Sequence, residues 1–161
     1  MELIARLRTE AAKLQRRIVL PETSDERTLQ AAARLRDEGL VKVVLLGNIE
    51  KVMSRLGGLG VPAAGLTILD PATHPSRDAF VDAYLELRKH KGMGREEAVA
   101  TMGDPLFFGA MLVARDEADG MVAGAVNSTG SVLRAGFHIV GTSPESSIVS
   151  SCFMMVNEKW P

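Results

Sequence analysis

Apolar residues along this chain follow two different spacings. Between residues 3 and 14 they recur every three or four positions, which predicts an amphipathic helix. Elsewhere they form short continuous runs, as in strands that are buried on both faces of a sheet. We expect strands in five such runs, at residues 17–22, 41–47, 66–70, 120–126 and 146–156.

Polar residues at helix-start positions separate these strands. Thr23 is followed by Glu26 three residues later, which is the spacing of a capping box, and Gly39 lies where that helix would end. Further helices are expected to begin after Asn48, Ser76 and Asp104. Strands that alternate with helices in this way predict an α/β fold of three layers, α/β/α, with a mostly parallel sheet.

The composition excludes several classes of protein. The chain has 161 residues, of which 46% are hydrophobic, and its 19 basic residues are matched by 20 acidic ones. This balance leaves no excess positive charge for a nucleic-acid backbone or an anionic membrane. No signal peptide is recognisable, and no apolar run approaches the roughly 20 residues that span a bilayer. We therefore expect a cytoplasmic protein that binds neither nucleic acid nor membranes.

A loop rich in hydroxyl groups follows the fourth predicted strand, where parallel sheets place their ligands. Ser128, Thr129 and Ser131 supply hydroxyls, Gly130 permits close approach of the backbone, and Arg134 can donate two hydrogen bonds to one anion. This outline suggests a phosphate or acyl-phosphate site. An equally weighted alternative is that the loop only caps a helix and that the arginine is solvated.

A second basic cluster lies at the end of a predicted helix. Arg88, Lys89, His90 and Lys91 are consecutive there, and cations at this position complement the helix dipole. From physics alone this is the favoured interpretation. The functional alternative is that Arg88 or a neighbouring cation contacts a polyphosphate tail.

The remaining reactive side chains give weaker signals. His74, His90 and His138 lack the paired spacing of a metal motif, so we expect surface or capping roles and no metal. Cys152 lies in an apolar run and is expected to be a buried structural thiol. Glu22 follows the first strand and could face the cleft, but a solvated loop carboxylate is the default expectation.

With these segments in place, the sequence resembles the phosphate acetyltransferase (phosphotransacetylase) family. Family members transfer an acetyl group between coenzyme A and inorganic phosphate, forming acetyl phosphate reversibly. The resemblance therefore implies coenzyme A or acetyl-CoA, phosphate and acetyl phosphate as substrates, with no metal. It is carried by the segments RIVLPE, DERTLQAA, VVLLGN, YLELRKHKGM, DPLFFGAMLV, DEADGMVAGAV, NSTGSVLRAGFHIVGT and SSIVSSCFMMV.

The resemblance also implies roles for particular residues. Arg134 matches the family arginine that follows the hydroxyl-rich loop, and Arg88 matches the one in the LRKHKGM block. Both family arginines are associated with binding coenzyme A or acyl phosphate, and Ser128 and Thr129 fall on the loop that lines the same cleft. The sequence departs from the family pattern nearby, which puts the detailed shape of the pocket in doubt. At Gly130, Ser131 and Val132 the family commonly has alanine, aspartate and threonine, and at Ala135 it often has proline.

The resemblance further implies a chain about twice this length, beyond the ~100 to 200 residues of one domain. On that basis, residues 1–145 form a first α/β domain that a returning carboxyl-terminal segment completes, and residues 146–161 begin a second domain. The family's catalytic serine, arginine and aspartate lie in the carboxyl-terminal part, so the isolated chain is expected to be inactive. A homodimer is also implied. Two alternatives stay open: a non-catalytic binding or interaction module, and an acyltransferase for a longer group such as butyryl.

Overall fold

The computed structural model describes residues 2–146 and 148–156, and a sheet of four parallel strands lies at its centre. The order of the strands in the sheet is β3-β2-β1-β4. In the register, Val19 of the first strand is paired with Val44 on one side and with Met121 on the other. The strands are β1 Arg17–Leu20, β2 Lys42–Leu46, β3 Thr67–Leu69 and β4 Gly120–Met121.

Seven α-helices are described around this sheet. A short 3₁₀ turn, Lys89–Lys91, extends the fourth helix, and a π-helical turn, Gly136–Val140, continues the seventh. The helices are α1 Glu2–Leu14, α2 Glu26–Asp37, α3 Ile49–Gly58, α4 Arg77–Arg88, α5 Arg95–Met102, α6 Pro105–Ala114 and α7 Thr129–Ala135.

The two faces of the sheet pack against different helices, which confirms the predicted three-layer α/β/α fold. Side chains alternate across a strand. Val19 accordingly belongs to a core formed with α4, α5, α6 and the π-helical turn, whereas its neighbour Leu20 packs with α2 and α3. α1 contributes no buried residue to either core and is connected to the end of α2 by the ion pair of Arg8 with Glu38 at 3.1 Å.

Helices begin after three of the four proposed caps, Asn48, Ser76 and Asp104, and a side-chain capping bond forms at two of them. The side chains of Asn48 and Asp104 each accept a hydrogen bond from a backbone amide of the first turn. Ser76 precedes α4 but makes no capping bond. The capping box at Thr23 was wrong: Asp25 caps α2, and the buried Thr23 hydroxyl instead donates to the Leu46 carbonyl at 2.7 Å, joining β1 to β2.

Two of the five strand predictions need correction. β4 covers only Gly120–Met121 of the predicted run 120–126, because the amides of residues 124–127 bond to a side chain instead of a neighbouring strand. Residues 148–156 form no strand, since their backbone has no partner strand in the described part of the chain. Cys152, expected to be buried, is exposed in this segment. Residues 147 and 157–161 of the predicted second-domain segment lie outside the described residues.

Within the described residues, no helix is by itself both long enough and apolar enough to cross a bilayer. The helices α5 and α6 meet the length and composition criteria only as a pair, and they are bent by 92° with respect to each other.

Gly109 marks the closest approach of α6 to the sheet. A Cβ atom there would lie 2.8 Å from Sδ of Met121, 3.1 Å from Cγ1 of Val19 and 3.2 Å from Cδ1 of Leu46. We expect Gly109→Ala to lower the free energy of unfolding by about 1 to 3 kcal/mol because it overpacks the core. Gly57→Ala is the matched control, since a Cβ at this helical position meets nothing within 4 Å. Urea unfolding of both variants tests this, and equal stability would contradict the close packing.

Candidate functional site

The carboxylate of Glu22 organises the loop after β4. Glu22 follows β1 and is only 5% exposed. Its Oε2 accepts hydrogen bonds from the amides of Gly124 and Ala125 at 2.8 and 2.7 Å. Its Oε1 accepts from the amides of Val126 and Asn127 at 3.0 and 2.7 Å, and from Nδ2 of Asn127 at 2.9 Å. The default expectation of a solvated carboxylate was therefore wrong: Glu22 is buried and holds residues 124–127 in place.

This arrangement changes the acidity of Glu22. Burial of the carboxylate raises its pKa, but the hydrogen bonds from Asn127, Ala125 and Val126 outweigh burial and lower the pKa from 4.5 to about 2. Glu22 is consequently an anion at neutral pH. Its negative charge occupies the four amides that would otherwise be available to an external anion.

The hydroxyl-rich loop lies at the same edge of the sheet as Glu22, as predicted, because Asn127 bonds to Glu22 and directly precedes Ser128. The side chain of Ser128 caps α7 by accepting from the amide of Ser131 at 3.2 Å. Its hydroxyl is also 3.0 Å from the hydroxyl of Ser131, so these two groups satisfy each other. Thr129 and Gly130 are exposed in the first turn. The capping interpretation thus accounts for the serine contacts, and a role in binding stays a prediction.

Arg134 occupies the last turn of α7. Its Cα lies about 8 Å along the helix axis from that of Thr129, because five residues separate them at about 1.5 Å rise each. Ser131 is closer, since residues three apart are neighbours on a helix surface. The phosphate site drawn from the sequence therefore extends along α7.

Arg134 lies near His138, and so does Arg88, the other arginine singled out in the sequence. The hydroxyl of Tyr84, on α4, is 3.1 Å from Nδ1 of His138, in the π-helical turn. Arg88 follows Tyr84 by four residues, and Arg134 precedes His138 by four, so each arginine lies one helical turn from this contact. Both guanidinium charges act on His138. The structure thus brings the two arginines together around a histidine that we expected only at the surface.

Neither arginine has a carboxylate partner among the described residues. None of the ion pairs among the described residues includes Arg88 or Arg134. Nε of Arg88 is buried and donates no hydrogen bond to any described residue, while Arg134 is exposed. Two acids of α4 are engaged elsewhere: Asp82 with Arg95 at 2.6 Å, and Glu86 with Lys89 at 3.6 Å. Glu97 of α5 acts on Tyr84 but forms no ion pair with either arginine. Two guanidinium groups near one histidine, without a carboxylate partner among the described residues, favour an anionic ligand.

The other candidate residues have different surroundings from Arg88 and Arg134. Lys89, His90 and Lys91 are exposed in the 3₁₀ turn after α4, in keeping with the helix-end interpretation. His74 packs against the rings of Phe80 and Phe108. Over residues 2–146 and 148–156, no three His, Cys, Asp or Glu side chains converge on a point where a metal ion could bind.

Sequence reasoning missed His138 and the burial of Glu22. A signal for His138 was present in the two pairs at helical spacing, Tyr84 with Arg88 and Arg134 with His138. Nothing in the sequence connected the two pairs, because 46 residues separate Arg88 from Arg134.

The comparisons with known proteins agree with this fold and these segments. The family model described as phosphate acetyl/butaryl transferase matches residues 2–160. The chain belongs to this family. The phosphate acetyltransferase of Nitratidesulfovibrio vulgaris is 46% identical over 147 residues, which are 91% of this chain and 21% of that protein. The phosphate acetyltransferase of Acetivibrio thermocellus is 44% identical over 139 residues, which are 86% of this chain and 41% of that protein.

The fold is also similar to that of a solved phosphotransacetylase structure. The crystal structure of a phosphotransacetylase from Streptococcus pyogenes superposes with a TM-score of 0.86 at 38% identity, covering 91% of this chain and 44% of that one. The resemblance to the phosphate acetyltransferase family is thereby confirmed, as is the α/β fold class. The chain spans less than half the length of these relatives.

Proposed function

We propose that this chain is the amino-terminal part of a phosphate acetyltransferase and binds the phosphate-bearing substrates of that enzyme. The reaction is acetyl-CoA plus phosphate to coenzyme A plus acetyl phosphate, and it is reversible. The observation that carries the proposal is the pair of unpaired arginines, Arg88 and Arg134, which two different helices bring together in a chain of this family.

The two arginines have distinct roles in this proposal. Arg134, which is exposed, orients inorganic phosphate or the phosphate of acetyl phosphate, and Arg88 holds a phosphate group of coenzyme A. The exposed hydroxyl of Thr129 and the backbone at Gly130 line the approach, while Ser128 and Ser131 hold the start of α7 in shape. These residues position anions and stabilise the negative charge that develops on them.

The chemical step follows from the reaction. The thiolate of coenzyme A attacks the carbonyl carbon of acetyl phosphate, a carbon–sulfur bond forms, and the carbon–oxygen bond to phosphate breaks. Inorganic phosphate leaves with the electron pair, and a general base accepts the proton of the thiol. We place that base and the other catalytic groups in the part of the relatives' length that this chain does not span.

Replacement of Arg134 tests the binding role. We expect Arg134→Ala to weaken the binding of inorganic phosphate to this chain by about 10- to 150-fold, because a charge-assisted contact is worth about 1.5 to 3 kcal/mol. The melting temperature should hardly change, since the side chain is exposed and has no ion-pair partner among the described residues. Isothermal titration calorimetry and thermal unfolding measure the two quantities.

Arg6→Ala is the matched control, because Arg6 is also an exposed helical arginine. It should leave phosphate affinity unchanged. Arg88→Ala should lower the affinity for coenzyme A more than that for phosphate. Unchanged binding in Arg134→Ala with a fallen melting temperature would assign Arg134 a purely structural role.

A second candidate, a non-catalytic interaction module, is favoured by one observation. An open apolar groove of about 340 Å³ runs beside β4 and is lined mainly by side chains of α6, α7 and the π-helical turn. Exposed apolar surface of this kind marks contact with another protein surface. Sedimentation of the purified chain as a stable dimer or larger species, without phosphate binding, would favour this candidate.

The proposal also includes the oligomeric state, the cellular compartment and the acyl group. A homodimer acting in the cytoplasm on acetyl groups is consistent with the balanced charge and with the names of the relatives. The family description also includes the butaryl enzymes, so activity with butyryl-CoA in place of acetyl-CoA measures the acyl preference of the longer protein.

A further inference from the structure

The contact between Tyr84 and His138 is the point where α4 meets the π-helical turn. Tyr84 is 1% exposed, and its hydroxyl lies 3.1 Å from Nδ1 of His138. The rings are nearly stacked, with an interplanar angle of 30°, and Phe107 of α6 lies at 6.2 Å from each of the two ring centroids. His138 is therefore held in one orientation between three elements.

Positive charge dominates the surroundings of His138. The ionisable groups near it on α4 are Tyr84 and Arg88, and the one on α7 is Arg134. α6 contributes none, because its ten residues carry no ionisable side chain. Glu97 of α5 acts on Tyr84. A proton added to His138 would thus produce a third cation beside two arginines that have no carboxylate partner.

The protonation states follow from this environment. Burial lowers the pKa of His138, and the charges of Arg88 and Arg134 lower it further, so the imidazole is neutral at pH 7. Burial raises the pKa of Tyr84, so the phenol keeps its proton. A neutral imidazole carries one ring proton, and we assign it to Nε2, with the phenol of Tyr84 donating to Nδ1. With this assignment, Nε2–H is available as a hydrogen-bond donor.

Building on the proposed role of the two arginines, we propose that His138 is the third member of the phosphate site and takes up a proton when a phosphate dianion binds there. A dianion beside Arg88 and Arg134 offsets the repulsion that keeps the imidazole neutral. The phenol of Tyr84 can rotate to accept a hydrogen bond from a protonated Nδ1, so the contact survives the change. By linkage, a site that gains a proton on binding phosphate holds phosphate more tightly when that proton is already present.

An NMR titration of the three histidine rings tests the proposal on this chain. The pH dependence of His74, His90 and His138 is measured in sodium chloride and again in inorganic phosphate at equal ionic strength. We expect the pKa of His138 to rise by about one unit in phosphate, which corresponds to a tenfold coupling between proton and ligand. The titration curves of His74 and His90 should be the same in both solutions. Repeating the titration with coenzyme A separates the cofactor's phosphate groups from free phosphate as the source of the effect.

Two substitutions separate proton uptake from structure. His138→Gln keeps a hydrogen-bonding side chain but cannot titrate. The phosphate affinity of this variant should therefore lack the tenfold change with pH that protonation of His138 causes in the wild type. Phosphate itself changes charge over the same pH range, and the difference between the wild type and this variant removes that contribution. Tyr84→Phe should reduce the rise in the pKa of His138 because it releases the ring. His90→Gln is the control and should behave as the wild type.

The failure of this inference is distinguishable from failure of the proposed function. If phosphate binds and Arg134→Ala abolishes binding, but the titration of His138 is the same with and without phosphate or coenzyme A, the third-member role is overturned and the arginine site stands. If the wild-type chain binds neither ligand, the arginine site is wrong and both proposals fall. The titration of the wild-type chain needs no variant, so the test stands even if His138→Gln does not fold. The ring signals of His138 are assigned by connecting them to its backbone resonances.

Discussion

Glu22→Gln is expected to lower the free energy of unfolding by about 3 kcal/mol and to release residues 124–127 from their present position. The amide of glutamine can accept with one oxygen only, whereas the carboxylate accepts five hydrogen bonds on two oxygens. The new NH₂ group would face two backbone N–H donors. Buried donors without an acceptor cost about 1 to 3 kcal/mol each, so the estimate is a conservative one.

Chemical denaturation of Glu22→Gln against Glu26→Gln measures this effect. Glu26 lies four residues further on, is exposed in the first turn of α2, and has no ion-pair partner in the described structure. Its replacement should change the free energy of unfolding by no more than about 0.5 kcal/mol. Equal stabilities for the two variants would show that the loop is held by something other than Glu22.

The low pKa of Glu22 predicts how the free energy of unfolding changes at acidic pH. The folded-state pKa of Glu22 is about 2 and lies below its ordinary value of 4.5. Its stabilising contribution is therefore complete above pH 4.5 and is lost as the pH falls toward 2. The difference in unfolding free energy between wild type and Glu22→Gln should shrink over this window and stay constant above it. A difference that persisted unchanged at low pH would contradict the lowered pKa.

The 161-residue chain is expected to show no measurable transfer of acetyl groups between coenzyme A and phosphate. Arg88 and Arg134 can position anions, but a thiol also needs a base. Burial and the charges of both arginines lower the pKa of His138, which makes this imidazole a weaker base, and its Nδ1 already contacts the hydroxyl of Tyr84. The site is also open to water on the side of the exposed Arg134, which weakens every electrostatic contribution.

The assay mixes the purified chain with acetyl phosphate and coenzyme A and follows the absorbance of the thioester. The Streptococcus pyogenes phosphotransacetylase, assayed in parallel, serves as the positive control. Turnover within tenfold of an ordinary enzyme's roughly 10 per second would show that catalysis resides in this chain. In that case, loss of activity in His138→Gln but not in His90→Gln would identify His138 as the base.

Local sequence patterns were enough to predict most of the secondary structure. Continuous apolar runs indicate strands buried on both sides, and the caps at Asn48 and Asp104 need only groups within three residues of each other. Thr23 shows the limit of such patterns. Its spacing to Glu26 fits a capping box, but the carbonyl of Leu46 in the adjacent strand competes for its hydroxyl, and that competitor is 23 residues away.

The end of β4 shows the same limit for strands. Residues 122–126 have the apolar character of a strand, but the buried carboxylate of Glu22, which follows β1, accepts hydrogen bonds from the amides of residues 124–127. Hydrogen bonds to a charged acceptor are stronger than those of a strand ladder. Strand propensity is therefore overridden by a group that is 102 residues away from Gly124.

By itself, the sequence determined the α/β/α architecture, the family and the two arginines that mark the candidate site, because each of these depends on residue type and on short-range spacing. Only the tertiary structure decided that Arg88 and Arg134 both lie near His138 and that Glu22 is buried as an anion. The contact of Tyr84 with His138 depends on how α4 packs against the end of α7, and packing between distant segments leaves no periodic trace in the chain.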